Sequence, residues 1–237
     1  MQKILNANQV AAFYHDAFVQ QQVEHFKKIA LHIVELGKVI VDIGGGCGYF
    51  ASAIKKELNI PTRVIDMDPV SVESARSLGV EAVVGDALKP VKIKDESVAC
   101  FNLILHHLVA KSESETLALQ SRAISAWRDN NVKVFVNEYI YESWIENFSG
   151  WLIYQITKNK LLSSIGGAVS KVVPSLKANT FGVGVRFRSN SEWKKIFEES
   201  GFSVKDELRG KPEFISLPRR MLLIKEIRRD SFLLVSR

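Results

Sequence analysis

A chain of 237 residues with 46% hydrophobic and 24% charged side chains can bury one sizeable α/β core with an insertion, and it is too short for two domains of equal size. Its net charge of +6 admits an acidic partner, but the densest basic groups (Lys194-Lys195, Arg219-Arg220, Arg228-Arg229) do not alternate with aromatic rings as a base-stacking platform would, which disfavours nucleic acid. Two cysteines, Cys47 and Cys100, support neither a disulfide framework nor a thiolate metal site, so no metal is expected.

In chain order, apolar residues recur at helical spacing over residues 8–36 (Val10, Phe13, Tyr14, Phe18, then Val23, Phe26, Ile29, Ile33), predicting one or two helices closed by Gly37. The start, Met1-Gln2-Lys3, has no signal-peptide core, and no apolar run reaches the roughly 18 residues of a spanning helix. A soluble cytoplasmic protein is expected. An apolar strand at 39–41 ends in Asp42, and glycines then recur at Gly44, Gly46 and Gly48 before a helix from about Tyr49. Such spacing describes a backbone that turns sharply and comes very close to a ligand. A strand at 63–65 delivers Asp66 and Asp68 about 20 residues on, where a βαβ unit presents an acid to ribose hydroxyls.

Asp68-Pro69 predicts a helix start and Gly79 its end. Residues 81–84 read as a strand ending at Gly85-Asp86, and residues 97–105 as another leading into His106-His107. Ser112 and Glu115 form a capping box for a helix reaching Trp127, and Asp129-Asn130-Asn131 turns into a fifth strand at 132–136, with Glu138 at its end. Strands and helices alternating in this way predict a parallel sheet covered on both faces. Over 142–190 the pattern breaks. Ile145, Phe148, Leu152 and Ile156 mark an amphipathic helix, and Gly166-Gly167 and Pro174 interrupt the residues after it, which predicts a helical insertion. Ser189 and Glu192 cap a further helix closed by Gly201, and residues 221–227 and 231–235 read as an antiparallel edge hairpin turning at Arg228-Arg229-Asp230.

The run Asp42-Ile43-Gly44-Gly45-Gly46-Cys47-Gly48, with Asp66 and Asp86 at the next strand ends, resembles the class I S-adenosylmethionine-dependent methyltransferases of small-molecule type. The resemblance covers about 39–137 well and the C-terminal third loosely. It implies a three-layer α/β sandwich with a seven-stranded, mostly parallel sheet, an antiparallel C-terminal edge hairpin, N-terminal helices and a helical insertion after the fifth strand. The whole is expected to be one domain, with a helical cap at 1–37, a cofactor-binding core at 38–140, an insertion or lid at 141–190 and a C-terminal helix and strands at 191–237. S-Adenosylmethionine is the implied cofactor. Asp42 would orient its ammonium within the loop of Gly44, Gly46 and Gly48, Asp66 would bind the ribose and Met67 cover the adenine. Asp86 with Ala87 would receive the adenine amino group. Many relatives carry an acid in the middle of the fourth strand where this chain is uncharged, and Asn102 is the cofactor candidate there.

The implied reaction is in-line methyl transfer to an oxygen, nitrogen or carbon nucleophile of a small hydrophobic or aromatic acceptor. His106, His107 and Glu138 are the candidate bases, and Tyr14, Trp151 and Tyr154 the candidate acceptor contacts. Lys158, Lys160 and Lys171 beside apolar residues leave room for a membrane-surface role. The chain is expected to be a monomer or homodimer. A nicotinamide- or flavin-dependent oxidoreductase stands as the rival, because Gly46-Cys47-Gly48-Tyr49-Phe50-Ala51 satisfies G-x-G-x-x-A. A catalytically silent cofactor-binding subunit is the third reading.

Overall fold

The computed structural model describes residues 16–128, 132–159, 164 and 184–237. Helix α1 (Asp16–Ile29) and a 3₁₀ turn (Leu31–Ile33) lead into β1 (Val39–Ile43), α2 (Tyr49–Leu58), β2 (Thr62–Asp66), α3 (Pro69–Ser77) and β3 (Glu81–Val84). Then come β4 (Glu96–Asn102), a second 3₁₀ turn (Leu105–His107), α4 (Glu113–Ser125), β5 (Lys133–Ser143) and α5 (Phe148–Lys158). The described chain closes with α6 (Asn190–Glu199), β6 (Phe202–Leu208), α7 (Leu217–Arg220) and β7 (Ile224–Ser236). The seven strands form one sheet in the order β3-β2-β1-β4-β5-β7-β6. β1 to β5 run parallel, and β7 is antiparallel to both β5 and β6. The winding direction reverses between β1 and β4, so a crevice opens at the carboxyl ends of those strands, where open α/β sheets take their ligands.

Period-two alternation explains how both faces of the sheet are covered. On one face Val41, Ile43, Phe101, Val134, Val136, Phe232 and Leu234 pack under Ala123, Ile124 and Trp127, from α4 and its exit, and under Trp193, Ile196 and Phe197 of α6. Their neighbours along each strand, Ile40, Val98, Cys100, Phe135 and Leu233, lie under Val23, Phe26 and Ile29 of α1 and Phe50 and Ile54 of α2. Phe26 meets Phe50 and Phe135 edge-on, with ring centroids 6.0 and 5.3 Å away, so the N-terminal helix completes a layer of the sheet. Local signals act as expected at three helix starts. The Asp68 carboxylate accepts from the amides of Val70 and Ser71, and Ser112–Glu115 and Ser189–Glu192 form reciprocal capping boxes.

Several boundaries differ from the sequence expectation. α1 stops at Ile29, and Gly37, with φ +75°, lies beyond the 3₁₀ turn rather than at the helix end. β4 ends at Asn102 because Leu103 turns left-handed at φ 55°, so His106 and His107 belong to a 3₁₀ turn and not to a strand. β5 runs on to Ser143 because β7 pairs with it as far as Ile224, which places Glu138 in mid-strand. The expected C-terminal hairpin is one continuous strand, β7, and the antiparallel edge is the β6–β7 pair. Arg228 and Asp230, read as turn residues, are buried. Nε of Arg228 donates to both Asp230 oxygens at 3.0 Å, and its other nitrogens reach Glu142 at 3.0 Å and Glu226 at 3.1 Å. Tyr14 and the helix expected before residue 16, the Asp129-Asn130-Asn131 turn, Gly166-Gly167, Pro174, Lys160 and Lys171 lie outside the described residues. Among those residues no helix is long and apolar enough to cross a membrane.

Candidate cofactor and acceptor site

The loop after β1 owes its shape to two kinds of glycine. A Cβ on Gly44 would come within 2.6 Å of the Ile104 side chain, and one on Gly48 within 2.7 Å of the Ala75 Cβ. Those positions are glycine because the protein itself crowds them. A Cβ on Gly46, where φ is +53°, would meet nothing within 4 Å, so there the bare backbone faces open space. Asp66 holds this part of the loop: its Oδ2 accepts from the Gly46 amide at 2.9 Å and its Oδ1 from the Asp68 amide at 2.9 Å. Burial pushes the Asp66 carboxyl above its usual range, while these backbone amides oppose the rise.

Asp42, at the tip of β1, is 1% exposed. Its Oδ1 accepts from Asn102 Nδ2 at 3.1 Å. Burial, with a smaller contribution from the charge of Asp66 and against the Asn102 hydrogen bond, pushes its carboxyl up to about 7. Asn102 Oδ1 is buried without a hydrogen-bond donor. A buried acid poorly compensated for its charge, beside an acceptor lacking a donor, is the environment that a cationic group with N–H donors would satisfy. Asp86 lies one strand beyond Asp66, where the Gly85 amide donates to the Asp66 carbonyl at 2.9 Å, and its Oδ1 accepts from Leu88 N at 2.8 Å. Ala87 is buried next to it, and Met67, in the loop after β2, is 52% exposed. Thus Asp42, Asp66 and Asp86 stand at the carboxyl ends of three adjoining strands, with Asn102 on the fourth.

Beyond Asn102 the 3₁₀ turn carries His106 to Glu138. His106 Nδ1 lies 2.7 Å from Glu138 Oε2, and Glu138 Oε1 accepts from the Leu105 amide at 2.7 Å. Both side chains are buried. The Phe187 ring stacks on His106 (centroids 4.9 Å apart, 29°) and on Tyr141 (4.2 Å, 10°), and Tyr139 meets His106 edge-on at 6.1 Å. His107 lies beside His106 with centroids 4.1 Å apart, and burial, followed by the charge of His106, lowers its pKa well below the ordinary value. Burial pushes the Tyr139 phenol up to about 12. The turn itself is held by buried polar groups. Gln120 Nε2 donates to the Leu105 carbonyl at 3.0 Å, Arg188 Nε donates to Gln120 Oε1 at 2.6 Å, and the Arg186 amide donates to the His106 carbonyl at 2.9 Å.

The structure therefore brings His106 and Glu138 together and sets His107 beside them. Tyr154 is fully buried, and its hydroxyl donates to the Ala110 carbonyl at 2.8 Å and accepts from Thr116 at 3.2 Å, fastening α5 to the loop before α4. Trp151 is 41% exposed and its ring lies 5.7 Å from that of Phe148. Sequence reading missed Tyr139, Tyr141, Phe187 and Gln120. The alternation of the two tyrosines was a usable signal once β5 is known to continue past Glu138, whereas nothing local marks Phe187 or Gln120.

No family model matches the chain. It is 28% identical over 171 residues to acetylserotonin O-methyltransferase 2 of Oryza sativa subsp. japonica, a match covering 69% of this chain and 39% of that protein. The chain thus spans about two fifths of the length of this curated relative. Among solved structures, magnesium protoporphyrin IX methyltransferase from Synechocystis PCC 6803 with bound SAH superposes with a TM-score of 0.56 at 13% identity, over 100% of this chain and 90% of that one. A SAM-dependent methyltransferase from Thiobacillus denitrificans in complex with S-adenosyl-L-homocysteine gives 0.53 at 14% identity, over 100% of both chains. The LepI complex with SAM gives 0.54 at 11% identity, over 89% of this chain and 46% of that one. The fold is the Rossmann-like α/β fold of these methyltransferases.

Proposed function

We propose that this chain, which has the fold of the class I S-adenosylmethionine-dependent methyltransferases, binds S-adenosylmethionine and transfers its methyl group to a small aromatic or hydrophobic acceptor. The observation that carries the reading is the arrangement of Asp42, Asp66 and Asp86 on three adjoining strand ends around the open backbone of Gly46. The buried Asp42 carboxylate and Asn102 Oδ1 would receive the amino-acid ammonium, and Asp66 would hold the ribose while keeping Gly46 in place. Asp86 would receive the adenine amino group, with Ala87 and Met67 against the ring. S-Adenosylmethionine supplies an electrophilic methyl carbon on a positively charged sulfur.

The chain's own contribution is then positioning, desolvation and, for a protic nucleophile, proton removal. Holding nucleophile and carbon in line can supply about 7–11 kcal/mol of the barrier. Glu138 accepts the Nδ1 proton of His106, which fixes the tautomer and leaves Nε2 as the base. A base so placed adds about 10²–10⁴-fold. The half-buried rings of Phe187, Tyr141 and Tyr139 beside His106 suit a flat acceptor better than the exposed Trp151 or the hydrogen-bonded Tyr154. The rice relative's name is that of an O-methyltransferase, and this supports a hydroxyl as the nucleophile. Calorimetric titration with S-adenosylmethionine, S-adenosylhomocysteine and reduced nicotinamides tests the class. Micromolar binding of the sulfur nucleosides alone is expected, and binding of a nicotinamide instead would favour the oxidoreductase. A labelled-methyl screen of phenols, amines and acids then tests the acceptor.

A further inference from the structure

Large apolar side chains normally lie on the surface of a globular protein only singly, yet here they gather in two segments that are tied together. Trp144 and Ile145 follow β5, while Phe214, Leu217 and Met221 surround α7. Phe214 is 87% exposed, Met221 78%, Leu217 76% and Trp144 70%. The Trp144 amide donates to the Leu223 carbonyl at 3.0 Å, and the Ser149 hydroxyl donates to the Leu222 carbonyl at 2.8 Å. Lys225 sits 5.6 Å above the Trp144 ring. Beneath them Ile215, Ile224 and Ile227 pack with Leu222, Tyr139 and Tyr141, so this surface is the outer side of the cluster whose inner side stacks on Phe187 and His106.

The cations around the patch decide between occupants. Lys211, Arg220 and Lys225 are exposed, with Glu146 the exposed acid beside them; Glu213 and Glu226 are drawn to Arg229 and to Arg209 and Arg228. A second copy seated on this face by two-fold symmetry would bring like charges together. An anionic bilayer would meet the same cations favourably while taking up the tryptophan, phenylalanine and leucine side chains at headgroup depth. We propose that this face docks reversibly on an anionic lipid surface.

Sedimentation with phosphatidylcholine vesicles, with and without phosphatidylserine, tests this without any methyl acceptor and so independently of the transfer reaction. Of the tryptophans, Trp127 and Trp193 are fully buried and serve as an internal reference, while Trp144 reports on the patch. The expected result is binding to the phosphatidylserine vesicles only, weakening with salt, with a blue shift and quenching by brominated acyl chains that Trp144→Phe removes. Phe214→Ser/Leu217→Ser/Met221→Ser should lower the affinity at least tenfold, and each of Lys211→Glu, Arg220→Glu and Lys225→Glu by roughly fivefold or more. All of these side chains are exposed, so circular dichroism and thermal unfolding should match the parent and keep the comparison interpretable. Absence of vesicle binding at low salt would overturn the proposal. So would binding that the triple serine variant leaves unchanged, or a self-association of the parent that the triple variant abolishes.

Discussion

Asp42→Asn removes a buried charge while keeping the shape of the side chain, and its consequences can be worked through in sign and size. The carboxyl is 1% exposed and is raised from 3.8 to about 7. A folded-state value above the unfolded one means that the native protein holds the proton more tightly than the unfolded chain. The stabilisation is therefore complete below about pH 4 and is lost as the pH rises through about 7. At about 1.4 kcal/mol for each tenfold displacement of the proton equilibrium, this group alone should lower stability by roughly 4 kcal/mol across that window. Asp66, whose carboxyl is also raised by burial, adds a slope of the same sign, so the informative quantity is the difference between the two proteins.

Urea unfolding of parent and Asp42→Asn at pH values from about 4 to about 8 measures that difference. The variant should gain on the parent as the pH rises and be the more stable protein at the alkaline end. Ligand binding should move the other way. The cationic end of S-adenosylhomocysteine favours the ionised carboxylate, so the parent's affinity should fall by up to tenfold per pH unit below about 7. That of the variant should be weak and flat over the same range. Stability curves of parent and variant that run parallel from acid to neutral pH would refute the argument that Asp42 is held unionised by its surroundings.

Four further substitutions probe other parts of the molecule. Asp66→Ala should weaken S-adenosylhomocysteine binding by about 1.5–3 kcal/mol, the scale of a hydrogen bond to a charged group; calorimetry giving the parental affinity would remove Asp66 from the ribose position. Gly46→Val should fold, since a Cβ there meets nothing within 4 Å, at a backbone cost of about 1–2 kcal/mol, and calorimetry should find no nucleoside binding. His106→Ala should lower turnover about 10²–10⁴-fold with cofactor affinity unchanged, and an unaltered rate in a labelled-methyl assay would leave positioning alone as the mechanism. Arg228→Ala strands the fully buried Asp230 and should cost about 3–5 kcal/mol in urea unfolding; a loss below about 1 kcal/mol would mean that water or the neighbouring Asn190 compensates.

The features legible in the sequence are those whose cause and effect lie within a few residues of each other. The reciprocal bonds of Ser112 with Glu115 and of Ser189 with Glu192 span three positions each, and the glycines after Asp42 declare their own backbone. Arg228 and Asp230 misled because charge in a short run usually marks a turn. What keeps them in a strand is Glu142, 86 residues earlier, and that pairing exists only once β5 and β7 are in register. Likewise both His106 and Glu138 were visible as candidates, but their contact depends on Leu103 turning left-handed after β4 and on β5 continuing beyond the end of β4. Phe187 joins them from a segment with no periodicity at all.

The same division separates the two halves of the site. Its proposed cofactor side is made of strand tips whose acids announce themselves one strand at a time, whereas its proposed acceptor side would be assembled from β5, the turn at His106 and the segment before α6. A sequence of this kind therefore discloses the class of chemistry before it discloses the molecule acted upon. An acceptor is better sought by exchanging Phe187, Tyr139 and Tyr141, which change the shape of the aromatic cluster, than by altering the strand-end acids, which should weaken the cofactor alike for every acceptor.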